Sequence, residues 1–160
     1  MPEAIIIDWY GPYESKNDLK AEAKGWADGT CTLYMGVQSY GRVGYIGLTE
    51  GPRTRFDNHE KLAHPDNRFF FIGEIATRGA SGRRIKKHRT DHAAAEHALI
   101  AYMQPPLNSR LVERDLKDCC VVFSRFFSKN DYETPIDVLP KFPRIVAYDS
   151  YREEFVAGWQ

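Results

Sequence analysis

Two short apolar runs, 31–37 and 43–48, flank a small loop that contains Gly41. Paired runs joined by a glycine-bearing connection read as a β-hairpin. Gly51-Pro52 ends the second run. Proline suits the first position of a helix, so a helix is expected over 52–63. His64-Pro65-Asp66-Asn67 is a turn, and 68–76, with Phe69-Phe70-Phe71-Ile72, is a third strand whose aromatics serve the core. The clearest helix is 91–103, where three successive alanines precede Leu99, Ile100, Tyr102 and Met103. Thr90 or Asp91 can cap it, and Pro105-Pro106 stops it. Upstream, 4–7 reads as a strand closed by Gly11-Pro12. An amphipathic helix over 14–26 follows, with Leu19, Ala23 and Trp26 on one side. Downstream, 119–127 is β-rich, 128–143 is irregular chain with three prolines, and 144–159 carries apolar residues partly at helical spacing.

Several polar residues stand out against this pattern. The hairpin offers Tyr34 and Tyr45, and Arg55 and His59, four apart, share one face of the expected helix. Glu96 lies on the same helical face as Leu99, Ile100 and Met103. A carboxylate there is costly unless it meets an arginine or holds a metal ion. Asn108 follows twelve residues later, in a turn that returns toward the hairpin.

Order and spacing together resemble the GIY-YIG nuclease family. Tyr45-Ile46-Gly47 is literal, whereas Thr32-Leu33-Tyr34 stands where the family has Gly-Ile-Tyr. Tyr34 and Tyr45 are eleven apart, Tyr45 and Arg55 ten, Arg55 and His59 four, with Glu96 and then Asn108 downstream. The resemblance spans 31–110. It implies an α+β fold, a small, three-stranded, mainly antiparallel sheet flanked by helices, with 1–30 and 111–160 as additions to a single domain. It also implies a metal-dependent endonuclease that hydrolyses DNA, with RNA as the second candidate substrate. Glu96 would hold one Mg²⁺ or Mn²⁺, and Arg55 would contact the scissile phosphate. Tyr45 would be the general base and Tyr34 would orient water or phosphate. His59 would relay a proton or steady the phosphate, and Asn108 would support the site by hydrogen bonds.

Charge sharpens this picture. The chain carries 22 basic and 22 acidic residues, but residues 31–110 carry a net +5 between acidic flanks. Six of the twelve residues over 78–89 are Lys or Arg and none is acidic. Arg83, Arg84, Lys86, Lys87 and Arg89 are therefore expected to contact nucleic-acid backbone, an interaction driven by counterion release. Three cysteines, Cys31, Cys119 and Cys120, form no Cys-x-x-Cys pair and read as free thiols of a reducing compartment. No leader or membrane-spanning run is visible, so a cytoplasmic protein without a membrane partner is expected, as a monomer or homodimer. Two rival functions stand beside the nuclease. One is a module of the same fold that binds nucleic acid without cutting. The other is an interaction protein whose aromatic tail binds a partner.

Overall fold

The computed structural model describes residues 3–26, 31–76, 89–113, 116 and 118–159. Its frame is one curled, mixed seven-stranded sheet in the order β3-β2-β4-β1-β5-β6-β7. The strands are β1 (Glu3–Tyr13), β2 (Thr32–Gln38), β3 (Val43–Thr49), β4 (Asn67–Ile75), β5 (Cys120–Ser128), β6 (Ile145–Asp149) and β7 (Glu154–Gly158). Among the described residues, three α-helices accompany them: α1 (Lys16–Ala23), α2 (Pro52–Arg55) and α3 (Arg89–Met103).

This corrects the expectation of a small three-stranded sheet with terminal additions. Strands β3, β2 and β4 pair antiparallel as one end of the sheet. Residues outside 31–110 supply its other strands. β1 lies antiparallel to β4 and parallel to β5, aligned from Glu3 against Cys120 to Gly11 against Ser128. The 144–159 segment, with its partly helical spacing, forms the β6–β7 hairpin instead. Tyr148 and Phe155 are cross-strand partners there, their ring centroids 4.8 Å apart. Aromatic cross-strand pairs stabilise sheets, which decides the period in favour of strand.

Alternation along the strands divides the core in two. Ile5, Ile7 and Trp9 of β1, Leu33, Met35 and Val37 of β2, and Val122 and Phe126 of β5 pack with Ala95, Ala98 and Leu99 of α3. On the other face, Tyr10, Tyr34, Phe70 and Ile72 pack with Leu19 and Ala23 of α1 and with Phe56 and Leu62 beyond α2. The small residues of α3 allow its close approach to the sheet. Ser15 caps α1 by accepting a hydrogen bond from the Asp18 amide, 3.0 Å.

Two further elements differ from the sequence reading. β1 runs through Gly11-Pro12 with a change of register between Tyr10 and Tyr13. The helix expected over 52–63 stops at Arg55, and turns follow. Phe56 and Leu62 are both buried, and the Leu62 amide donates to the His59 ring, 3.1 Å, a side-chain bond that replaces a helical one. Among the described residues, no helix is long and apolar enough to cross a membrane.

Candidate active site

The β3 edge of the sheet carries a cleft of about 590 Å³. Tyr34, Tyr45, Arg55 and His59 line it together with Leu48, Lys61, Glu96, Ile100, Asn108, Ser109, Arg110 and Leu111. Residues from positions 34 to 111 thus meet around the edge strand. Tyr34 and Tyr45 belong to the α1 face of the sheet, whereas Glu96 and Ile100 come from α3 on the other.

Tyr34 is the hub on its side. Its ring is fully buried, and its hydroxyl accepts a hydrogen bond from Arg55 Nε at 3.0 Å. The same oxygen lies 2.9 Å from His59 Nε2. Which of the two atoms donates follows from the opposite side of the imidazole. His59 Nδ1 accepts the Leu62 amide, so it carries no proton. Burial and the nearby Arg55 charge lower the His59 pKa to about 4, so the ring is neutral near pH 7. Its single proton therefore sits on Nε2 and points at Tyr34. The Tyr34 oxygen thus receives two N–H donors, and its own proton is directed elsewhere. Burial raises the Tyr34 pKa, as does the neighbouring Tyr45, while Arg55 works against the rise. Tyr45 is less buried. Its ring centroid is 4.9 Å from that of His59 and 6.1 Å from that of Tyr34.

Local packing explains why these groups stay in register. Gly47 is the cross-strand partner of Tyr34, and a Cβ at residue 47 would overlap the Tyr34 phenol. The glycine of Tyr45-Ile46-Gly47 is thus required by the tyrosine opposite it. Asn67 is buried and donates from Nδ2 to the carbonyls of Lys61 and Leu62, at 3.2 and 3.0 Å, which pins the turn that holds His59. A Cβ on Gly36 would lie 2.7 Å from that Nδ2.

Asn108 acts on the other side of the cleft. Its Oδ1 accepts from the Ile46 amide at 3.0 Å and its Nδ2 donates to the Ile46 carbonyl at 2.9 Å. The Leu107 amide adds a bond to the Gly44 carbonyl, 3.0 Å. The Asn108 side chain is therefore spent on the exposed edge of β3. It clamps the segment after α3 to the strand that bears Tyr45, as a positioning residue rather than a catalytic one.

Among the described residues, Glu96 is the sole carboxylate lining the cleft. It forms no hydrogen bond or ion pair among the described residues. Burial lifts its pKa to about 7, against a smaller opposing effect of the Arg55 charge. The alternative of an internal arginine salt bridge finds no ion pair among the described residues, since Arg55 acts on Glu96 only through its field. No group of three His, Cys, Asp or Glu side chains forms a metal cage among the described residues.

The cleft thus gathers Tyr34, Tyr45, Arg55, His59, Glu96 and Asn108. Lys61, which donates to Ser109 Oγ at 2.9 Å, and Arg110 line the same cleft and were not among the expected site residues. Their signal was only the basic balance of the middle segment. Arg83, Arg84, Lys86 and Lys87 lie outside the described residues. Arg89 begins α3, where its backbone alone is described. Neither a family model, nor a curated protein, nor a solved structure matches this chain.

Proposed function

We propose that the cleft is the active site of a metal-dependent endonuclease that hydrolyses DNA phosphodiester bonds. One observation carries this reading. Among the described residues, a lone and partnerless carboxylate faces two phenols, a neutral imidazole and several cations in a single cleft. The order and spacing of these residues resemble those of GIY-YIG nucleases, and the reading rests on the site residues, not on the sheet around them.

The donor set fits a hard divalent ion. Glu96 offers oxygen only, and Mg²⁺ is commonly held by one or two carboxylates while water and phosphate oxygens complete its shell. A cation there would also offset the burial that raises the Glu96 pKa. Bound at Glu96, Mg²⁺ or Mn²⁺ supplies charge neutralisation at the phosphate and assistance to the departing 3′ oxygen.

The protein's own groups do the rest. Arg55 Nε is committed to Tyr34 and the guanidinium also meets Tyr45; its remaining N–H groups are those a phosphate oxygen would take. Lys61 and Arg110 add positive charge at the cleft. As phenolate, the Tyr34 oxygen held by Arg55 and His59 would accept a proton from the attacking water, whose oxygen bonds to phosphorus as the 3′ oxygen leaves. Burial raises the Tyr34 pKa on balance, and the two N–H donors, one of them cationic, work against that rise and toward the anionic form. His59 remains neutral and keeps its Nε2 proton on Tyr34. Tyr45, more open to the cleft, is placed to orient water or phosphate. The roles expected for the two tyrosines are exchanged in this reading, because the two donors converge on Tyr34.

The test is a cleavage assay of pure protein with Mg²⁺ on duplex DNA, single-stranded DNA and RNA, with the ends mapped. Cleavage leaving 5′-phosphate and 3′-hydroxyl ends supports the reading. Tight binding with no cleavage of any substrate would instead leave a nucleic-acid-binding module.

A further inference from the structure

We propose that α1, which lies outside the segment that resembles the nucleases, carries a second phosphate-binding surface that continues the cleft. The inference rests on the nuclease reading above and names how the substrate is held beyond the cut.

Lys16, Lys20 and Lys24 are spaced by four residues and so form one stripe along α1. The stripe borders the chain that carries Arg55 and His59. Lys20 Nζ is 2.8 Å from Asp57, two residues past Arg55. Arg53 Nε donates to the Trp26 carbonyl at 2.9 Å, so α2 is tied to the end of α1 as well. These two bonds fix the helix beside the site. Asp57 neutralises Lys20, whereas Lys16 and Lys24 form no ion pair among the described residues.

The electrostatics agree with this placement. Lys16 contributes to the lowered pKa of His59, and all three lysines contribute to the lowered pKa of Asp57. Asp18 and Glu22 interrupt the positive charge on other sides of α1, and Glu22 is engaged by Tyr132, whose hydroxyl donates to it at 2.6 Å. The cleft cations Arg110, Lys61 and Arg55 thus lie on one side of the Lys20–Asp57 and Arg53–Trp26 contacts, and the α1 lysines Lys16 and Lys24 on the other. Cations that border a phosphodiester-cutting cleft suit the backbone of a nucleic acid, which such contacts hold without regard to sequence.

The experiment measures binding of a labelled DNA duplex to full-length protein by fluorescence anisotropy over a range of salt, in a Glu96→Gln background that keeps the duplex intact. Lys16→Ala with Lys24→Ala is compared with Lys141→Ala, a lysine of the loop before β6. Circular dichroism confirms that each variant is folded. The double variant should bind every duplex more weakly. Its slope of log affinity against log salt should flatten by about 1.8, or about 0.9 per lost contact, while Lys141→Ala keeps the parent slope. Cleavage by the same lysine variants with Glu96 restored is read at limiting DNA, where the double variant should cut more slowly than Lys141→Ala. If wild-type protein cuts DNA but the double variant keeps the parent affinity and slope, the α1 surface is overturned and the nuclease reading stands. If wild-type protein neither binds nor cuts, both fall together.

Discussion

Glu96→Gln separates what the carboxylate costs the fold from what it does for the site. Burial lifts the Glu96 pKa from its ordinary 4.5 to about 7. A carboxyl whose pKa is raised by folding holds its proton more tightly in the folded state. Between these two values the folded protein binds more protons than the unfolded chain, so this group's contribution falls as pH rises. At about 1.4 kcal/mol per pKa unit, the full penalty is about 3 kcal/mol above the folded pKa. Linkage leaves roughly 1 kcal/mol of it near pH 5 and nearly all of it near pH 8. His59 works the opposite way. Its pKa falls from 6.5 to about 4, so stability rises with pH across that window. The two effects largely cancel in the wild-type protein, and comparison of the two proteins at each pH isolates Glu96. Urea denaturation without divalent ions should show Glu96→Gln gaining on wild type by about 2 kcal/mol between roughly pH 5 and pH 8. Millimolar Mg²⁺ near pH 8 should stabilise the wild type and leave the variant unchanged, because only an ion that binds the folded state shifts the equilibrium. A difference between the two proteins that is flat with pH would refute the half-buried carboxylate, unpaired among the described residues, on which the metal proposal depends.

Tyr34→Phe removes the oxygen held by Arg55 and His59. It should slow cleavage by about 10²–10⁴, with a smaller loss for Tyr45→Phe, as read from single-turnover rates. The reverse order would return the base role to Tyr45. Gly47→Ala drives a Cβ into the Tyr34 ring and should destabilise the fold by about 1–3 kcal/mol in urea titrations while also impairing cleavage. Asn108→Ala leaves the Ile46 amide and carbonyl without their partners, which should cost about 1–3 kcal/mol of stability. Its Mg²⁺ affinity should stay at the wild-type value, a result that a direct ligand role for Asn108 does not allow.

The cleft was legible in the sequence where spacing is local. Tyr34 and Tyr45 share a hairpin, and Arg55 and His59 follow on a short segment. Glu96 announces itself as a charge on the apolar face of α3. The proline pair after α3 made the return of Asn108 readable, although its two bonds to Ile46 were not. The sheet was less legible. The β1–β5 pairing joins Glu3 to Cys120, and no short-range pattern encodes a parallel partner so far away. Periodicity also fails for short apolar runs such as 144–159, where strand and helix templates both fit. The turns after α2 include the His59 ring accepting the Leu62 amide, a detail that propensity does not contain. Lys16 and Lys24 carry no local signal of a site, because only the folded chain sets α1 against Asp57 and Arg53.

The central claim is that this cleft cuts DNA with the help of a divalent ion at Glu96. Its most direct test is supercoiled plasmid incubated with wild-type protein in Mg²⁺, with wild-type protein in excess chelator, and with Glu96→Gln in Mg²⁺. The account predicts nicked or linear product in the first reaction and intact plasmid in the other two. Product from Glu96→Gln at the wild-type rate, or from wild type in chelator, would contradict it.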